Sequence, residues 1–179
     1  MVSTQPITEL NWYVVYTYPH FEKKVQHSLN QANITSFLPL QKTVRQWSDR
    51  KKTVEAALFP NYIFVRTSSK ERYHVLNIYG VSRYIYFDGK PVTISEKEIE
   101  MIMKIAVEPG VTVEPEIEVG DCVSIVDGAF AGMKGVVFER KGKTRFGVRI
   151  SAINQFLSFE VSSSSLRKEE PSACTCAEH

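Results

Sequence analysis

The run Leu58-Phe59-Pro60-Asn61-Tyr62-Ile63-Phe64-Val65-Arg66 constrains the fold more than any other stretch of the chain. Aromatic and β-branched residues suit a pleated strand. Pro60 has no amide hydrogen, so ladder pairing is expected to begin after it. From Asn61 onward, side chains alternate between two faces. Ile63 and Val65 share one face and read as core beneath helices. Tyr62, Phe64 and Arg66 share the other, a large apolar load for a surface turned to water. Either the chain's own elements cover those rings, or they await a partner.

Upstream, Trp12-Tyr13-Val14-Val15-Tyr16-Thr17 reads as a strand that Pro19 ends. A helix is expected from Phe21 to Ala32, because Phe21, Val25, Leu29 and Ala32 recur at helical spacing. His20, Lys24, His27 and Gln31 recur on another face, with Lys23 beside them. That stripe is either a solvated helix surface or a track for nucleic-acid phosphates and bases. Ser36 to Val44 reads as a strand with Pro39 at an edge or bulge. Arg45 to Thr53 holds four cations and one tryptophan in nine residues, which fits a hairpin tip. Trp47 there could stack a base, rest on a partner or stay in a solvated loop.

A further helix is expected over Ser68 to Ile78, and a strand over Val81 to Phe87. The turn signal Asp88-Gly89 follows. Ser95 and Glu98 have capping-box spacing before a helix with Ile99, Ile102, Met103 and Ala106 inward. Residues 108–118 then hold two prolines, one glycine and four glutamates, the composition of an inter-domain linker. Beyond it the pattern is all strand: Cys122–Val126, Gly135–Arg140, Thr144–Ile150 and Phe156–Val161, with tight turns between. Short strands so connected imply a small barrel. The expected organisation is α+β: an N-terminal domain over 11–107, a linker over 108–118, a β-barrel over 119–168 and a polar tail over 169–179.

Charge and cysteine usage narrow the function classes. A net charge of +2 confines any nucleic-acid contact to a local patch. No apolar run is long enough to cross a bilayer as a helix, so a cytoplasmic protein without membrane contact is expected; it is read as a monomer. Three cysteines make no disulfide framework. Cys174-x-Cys176 with His179 offers three ligands where a closed zinc site needs four, and no metal or cofactor is expected. Paired carboxylates at fixed spacing, a nucleophile motif and a phosphate-binding glycine loop are all lacking, which argues against an enzyme.

Two blocks together resemble a known family. Leu58 to Val65, after Trp12 to Val15, resembles the N-terminal domain of NusG-type transcription elongation factors, an antiparallel four-stranded sheet with helices. Val119-Gly120-Asp121-Cys122-Val123-Ser124-Ile125-Val126-Asp127-Gly128-Ala129-Phe130-Ala131-Gly132-Met133-Lys134-Gly135-Val136-Val137 is similar to the KOW motif of that family, carried on an SH3-like barrel. The likeness spans roughly residues 11 to 168 in the right order. Within the family, the Phe-Pro-Asn-Tyr form and the Gly-Ala-Phe-x-Gly step resemble specialised paralogues of the RfaH and UpxY type. In the motif, Gly128 is expected at positive φ, and Gly132 and Gly135 at a corner where a side chain would clash. Phe130 is expected to plug the barrel.

The resemblance implies that the N-terminal domain binds the clamp helices of the largest RNA polymerase subunit, through Tyr16, Phe59, Tyr62 and Phe64. It further implies that the first helix meets the non-template DNA strand through Lys24. The stripe adds Tyr18, His20, Lys23, His27 and Gln31 to that set. Antitermination on particular operons, such as those for polysaccharide biosynthesis, would follow. The barrel's partner would be a ribosomal protein or a termination factor. Three departures limit the transfer. Ser28 and Ala32 differ from the polar residues of RfaH. Glu71-Arg72-Tyr73-His74 replaces its His-Thr-Thr element. Arg145 matches an arginine of its inter-domain contact, but the acidic partner position is Ala56, with Glu55 adjacent. Because Thr144 to Val161 is rich in β-branched and aromatic residues, a barrel is expected there rather than a helical hairpin. A ribosome-associated RNA-binding KOW protein is the alternative reading.

Overall fold

The computed structural model describes residues 9–46, 51–108, 110–114, 120–140 and 142–169. The chain divides into two compact units between Ala106 and Val107. In the first, strand β1 (Leu10–Thr17) leads into helix α1 (Glu22–Gln31), then β2 (Thr35–Phe37), β3 (Leu40–Gln46), β4 (Lys51–Ala57) and β5 (Tyr62–Ser68). The short helix α2 (Arg72–Leu76) and strand β6 (Val81–Tyr84) follow. After them come the small hairpin β7 (Tyr86–Phe87) and β8 (Lys90–Pro91), strand β9 (Thr93–Ile94) and helix α3 (Glu96–Ala106).

β5 starts after Pro60 and pairs antiparallel with β1, Val14 opposite Phe64 and Tyr16 opposite Tyr62. The sheet runs β2-β5-β1-β6, the expected four strands, and β9 adds a fifth beside Trp12 and Tyr13. Alternation divides it as the sequence requires. Tyr13, Val15, Ile63 and Val65 join Val25 and Leu29 of α1 and Val75 of α2 in one core. Trp12, Val14 and Tyr16 face the other way with Arg66, Phe64 and Tyr62. α3 is tied to the Trp12 end of that second face. The Trp12 indole donates to Glu96 Oε2 at 2.9 Å, and Arg66 lies 3.8 Å from the same oxygen.

Several local expectations are corrected. The single strand over Ser36 to Val44 is two strands. They break at Leu38-Pro39, and β3 leaves the main sheet to pair with β4. The helix over Ser68 to Ile78 shrinks to five residues, because Ser68 still pairs with Leu10 on β1. In α3 the buried arc is centred on Ile102, so Ile105 turns in and Met103 turns out, 43% exposed. The capping box forms as expected: Ser95 N donates to Glu98 Oε2 at 3.0 Å, and Glu98 N to Ser95 Oγ at 3.2 Å. Asp88 and Gly89, both at positive φ, turn the β7–β8 hairpin.

The second unit is all β. Strands β10 (Thr112–Glu114), β11 (Cys122–Ile125), β12 (Lys134–Arg140), β13 (Lys143–Ile150), β14 (Gln155–Glu160) and β15 (Leu166–Lys168) form one antiparallel sheet, ordered β10-β14-β13-β12-β11-β15. Within Thr144 to Val161 the chain forms β13 and β14, joined by a short 3-10 turn at Ser151–Ile153, and no helical hairpin. Thr112–Glu114, placed in the linker by composition, pairs with β14 instead. The buried Arg145 side chain fastens it, donating to Gly110 O at 3.0 Å, Thr112 Oγ1 at 2.8 Å and Ser158 O at 2.8 Å. Arg145, matched above to an inter-domain contact, is thus satisfied inside its own unit, while Glu55 lies 3.7 Å from Lys23.

Candidate functional site

The KOW-like residues make barrel corners. Gly128 at φ +76° opens a short 3-10 turn, and Gly132 at φ +82° closes it, its amide bonded to Ile125 O at 2.7 Å. A Cβ on Gly132 would meet nothing, so its need is conformational rather than steric. Gly120 and Gly135 are the steric cases. A Cβ would collide with Val137 O at the first and with Gly147 O and the Phe146 ring at the second. Asp121 pairs with Lys168 at 3.0 Å. Phe130 is half-buried against Phe159, ring centroids 4.9 Å apart, and does not plug the barrel. The fully buried Phe146 takes that place, packed on Phe159 and against Gly135.

On the first sheet, the expected row of uncovered rings is only partly present. Phe59 and Phe64 are 0% exposed. Phe64 stacks on Phe37 at 6.0 Å and meets Phe59 edge-on at 6.1 Å. Phe59 and Phe64 are therefore core, with the half-buried Phe37 laid over Phe64. Tyr16 and Tyr62 lie farther along the same face and are half-exposed, edge-to-face at 5.4 Å. The Arg83 guanidinium caps the pair, 5.1 Å from the Tyr16 ring centroid. Asn61, at φ +68°, locks the corner. Its side-chain amide donates to Tyr16 Oη at 3.3 Å, and its backbone amide to Glu22 Oε1 at 2.9 Å. Burial raises the Tyr62 pKa, with the Tyr16 charge acting the same way and Arg83 opposing it. The Tyr62 phenol therefore stays a neutral donor at physiological pH.

Sequence reasoning missed Arg83. Its signal was available, since Val81 to Phe87 was read as a strand, but which residue faces Tyr16 depends on the β6–β1 register. The exposed pair Tyr86 and Phe87, on the β7–β8 hairpin, was also missed as a surface feature.

The polar stripe is present with one change. α1 starts at Glu22, so His20, at φ +66°, stands in the turn before the helix. Lys23, Lys24, His27 and Gln31 project from α1 and are exposed, as are His20 and Tyr18. Lys23 is engaged with Glu55, and Lys24 Nζ sits 5.0 Å over the Phe21 ring. Trp47 lies outside the described residues, although β3 and β4 pair as far as Gln46 and Lys51 on either side of it. Cys174, Cys176 and His179 also lie outside them.

Residues 10–103 match the family described as transcription termination factor NusG. The chain is 27% identical over 174 residues to the transcription termination/antitermination protein NusG of Pseudomonas aeruginosa, covering 88% of this chain and 97% of that protein. It is 31% identical over 154 residues to the protein of the same name from Chlamydia trachomatis, covering 78% and 84%. Among solved structures it resembles one described as domain interaction in Thermotoga maritima NusG, with a TM-score of 0.52 and 23% identity over 90% of this chain and 98% of that one. That likeness speaks to fold alone; the family rests on the sequence matches. The aromatic strand, the KOW corners and these matches converge: the chain belongs to the NusG family of transcription termination and antitermination factors, and is not an enzyme.

Proposed function

We propose that this chain binds RNA polymerase through the Tyr16–Tyr62 end of its first sheet, with the clamp helices of the largest subunit as partner. Such binding would suppress pausing or termination. One observation carries the reading: two half-exposed tyrosines, edge-to-face and capped by Arg83, are presented on a rigid sheet with Phe59 and Phe64 buried in the same unit. Tyrosine and arginine dominate binding hot spots because they bring large area at low entropic cost, and a helix laid on such a surface buries them together. Phe59 and Phe64 support this surface rather than touch the partner. The factor makes no bond. It favours the closed, active state of the polymerase only by its differential affinity for that state.

The exposed residues Tyr18, His20, Lys23, Lys24, His27 and Gln31 would meet the non-template DNA strand, and selectivity for particular operons would come from them. The barrel would hold a second partner, a ribosomal protein or a termination factor. The test is capture of RNA polymerase and of a clamp-helix hairpin by the full chain. Tyr62→Ala should weaken capture at least about tenfold, the scale of a binding hot spot. Unchanged capture by Tyr62→Ala and Tyr16→Ala would overturn the assignment. Ribosomal RNA binding without polymerase binding would favour the ribosome-associated reading.

A further inference from the structure

Tyr79 is 81% exposed, in the turn between α2 and β6. An aromatic ring so exposed contributes little to folding. Its position is nevertheless fixed. Val81 N donates to Ile78 O at 3.0 Å, closing a tight turn in which Gly80 takes φ +99°. Gly80 packs so closely on α1 that a Cβ there would lie 2.7 Å from Phe21 Cδ1 and 2.8 Å from Val25 Cγ2. That contact sets the Tyr79 ring edge-to-face on Phe21, centroids 5.3 Å apart. Tyr18, itself 54% exposed, is joined to the same turn by its amide, 2.9 Å from Gly80 O. Lys24 Nζ stands over the Phe21 ring that Tyr79 meets, 5.0 Å from its centroid.

We propose that Tyr79 is a stacking platform for an unpaired base of single-stranded DNA, braced by Phe21, with Lys24 placed for the adjoining phosphate. The inference rests on the reading that α1 meets the non-template strand, and extends that surface to a residue the helix does not contain. Every base has a π-face, so an exposed ring accepts it without a base-specific hydrogen bond. The cation over the bracing Phe21 ring supplies the charge complementarity that selects nucleic acid over an apolar partner. A duplex keeps its bases stacked internally, so the platform serves only an exposed strand.

The test measures binding of the full chain to single-stranded oligodeoxynucleotides by fluorescence anisotropy across a salt series. Tyr79→Ala should weaken binding at least about fivefold with an unchanged salt slope, because a ring rather than a charge is lost. Tyr79→Phe should stay near wild type. Lys24→Ala should lower the slope by about one ion. Photocrosslinking with 5-iododeoxyuridine should map to Tyr79. If Tyr79→Ala binds like wild type while Lys24→Ala is weakened, the platform is wrong and the α1 reading stands. If the wild-type chain binds single strands no better than duplex, or binds RNA of the same sequence more tightly, the platform is overturned. If it binds no nucleic acid at all, the α1 reading falls with it.

Discussion

Phe64→Ala and Tyr62→Ala should separate folding from docking, although the two residues are two apart on one face of β5. Phe64 is fully buried between Phe37 and Phe59. Removing a buried phenylalanine ring costs about 3–5 kcal/mol, transfer and cavity together. A domain of this size holds about 5–15 kcal/mol in all, so the loss is a large share of it. In urea, with a slope of about 1–3 kcal/mol per molar, the midpoint should fall by roughly 2 M. Tyr62 is half-exposed and loses mainly its edge contact with Tyr16, worth about 0.5–1.5 kcal/mol. Its midpoint should move by well under 1 M by the same slope. Both tryptophans of the chain lie in the first unit, so fluorescence follows that unit alone. Capture of polymerase by each variant under native conditions completes the experiment. The reasoning fails if Phe64→Ala keeps the wild-type midpoint yet loses polymerase, since the ring would then be a contact residue and not core.

Three other outcomes follow from the geometry. Tyr84 is buried, its hydroxyl donates to Arg72 O at 3.0 Å, and burial raises its pKa from the usual 10.0. Above about pH 10 the unfolded chain releases a proton that the folded chain retains, so stability falls as pH rises there. Tyr84→Phe should cost about 1 kcal/mol at neutral pH and flatten that alkaline loss, read by denaturant titration at several pH values. Gly120→Ala places a methyl on Val137 O. It should destabilise the second unit by about 3 kcal/mol or more and leave the tryptophan-monitored transition of the first unmoved. Arg145→Ala should free Thr112–Glu114 from β14, speeding amide exchange at Thr112, whose partner is Ser158, with little change at Val148 on β13.

Much of the fold is legible because it rests on local chemistry. Alternation in Asn61 to Arg66 predicts which residues enter the α1 core, and Ser95 with Glu98 marks the start of α3. Asp88-Gly89 and Asp127-Gly128 mark turns through a backbone preference that needs no tertiary partner. The candidate site is less legible. Whether Tyr62 or Phe64 is exposed is not written in β5, since both project the same way. Phe37 arrives from β2, and its register opposite Phe64 decides which ring is sealed. Arg83 reaches Tyr16 through a β1–β6 pairing that bridges more than sixty residues of chain. Tyr79 draws no notice in the sequence, because a tyrosine before a glycine is an ordinary helix end.

The sequence by itself determines most of the strands and turns, and the faces on which their side chains lie, because periodicity, proline and glycine act over a few residues. It also carries the family, through an aromatic strand and a KOW-like corner in fixed order. The tertiary structure alone decided that Phe59 and Phe64 are core, that Tyr16 and Tyr62 meet solvent, and that Arg145 holds Thr112–Glu114 to the barrel. Burial and pairing depend on which distant element arrives at each face, and no local pattern encodes that arrival.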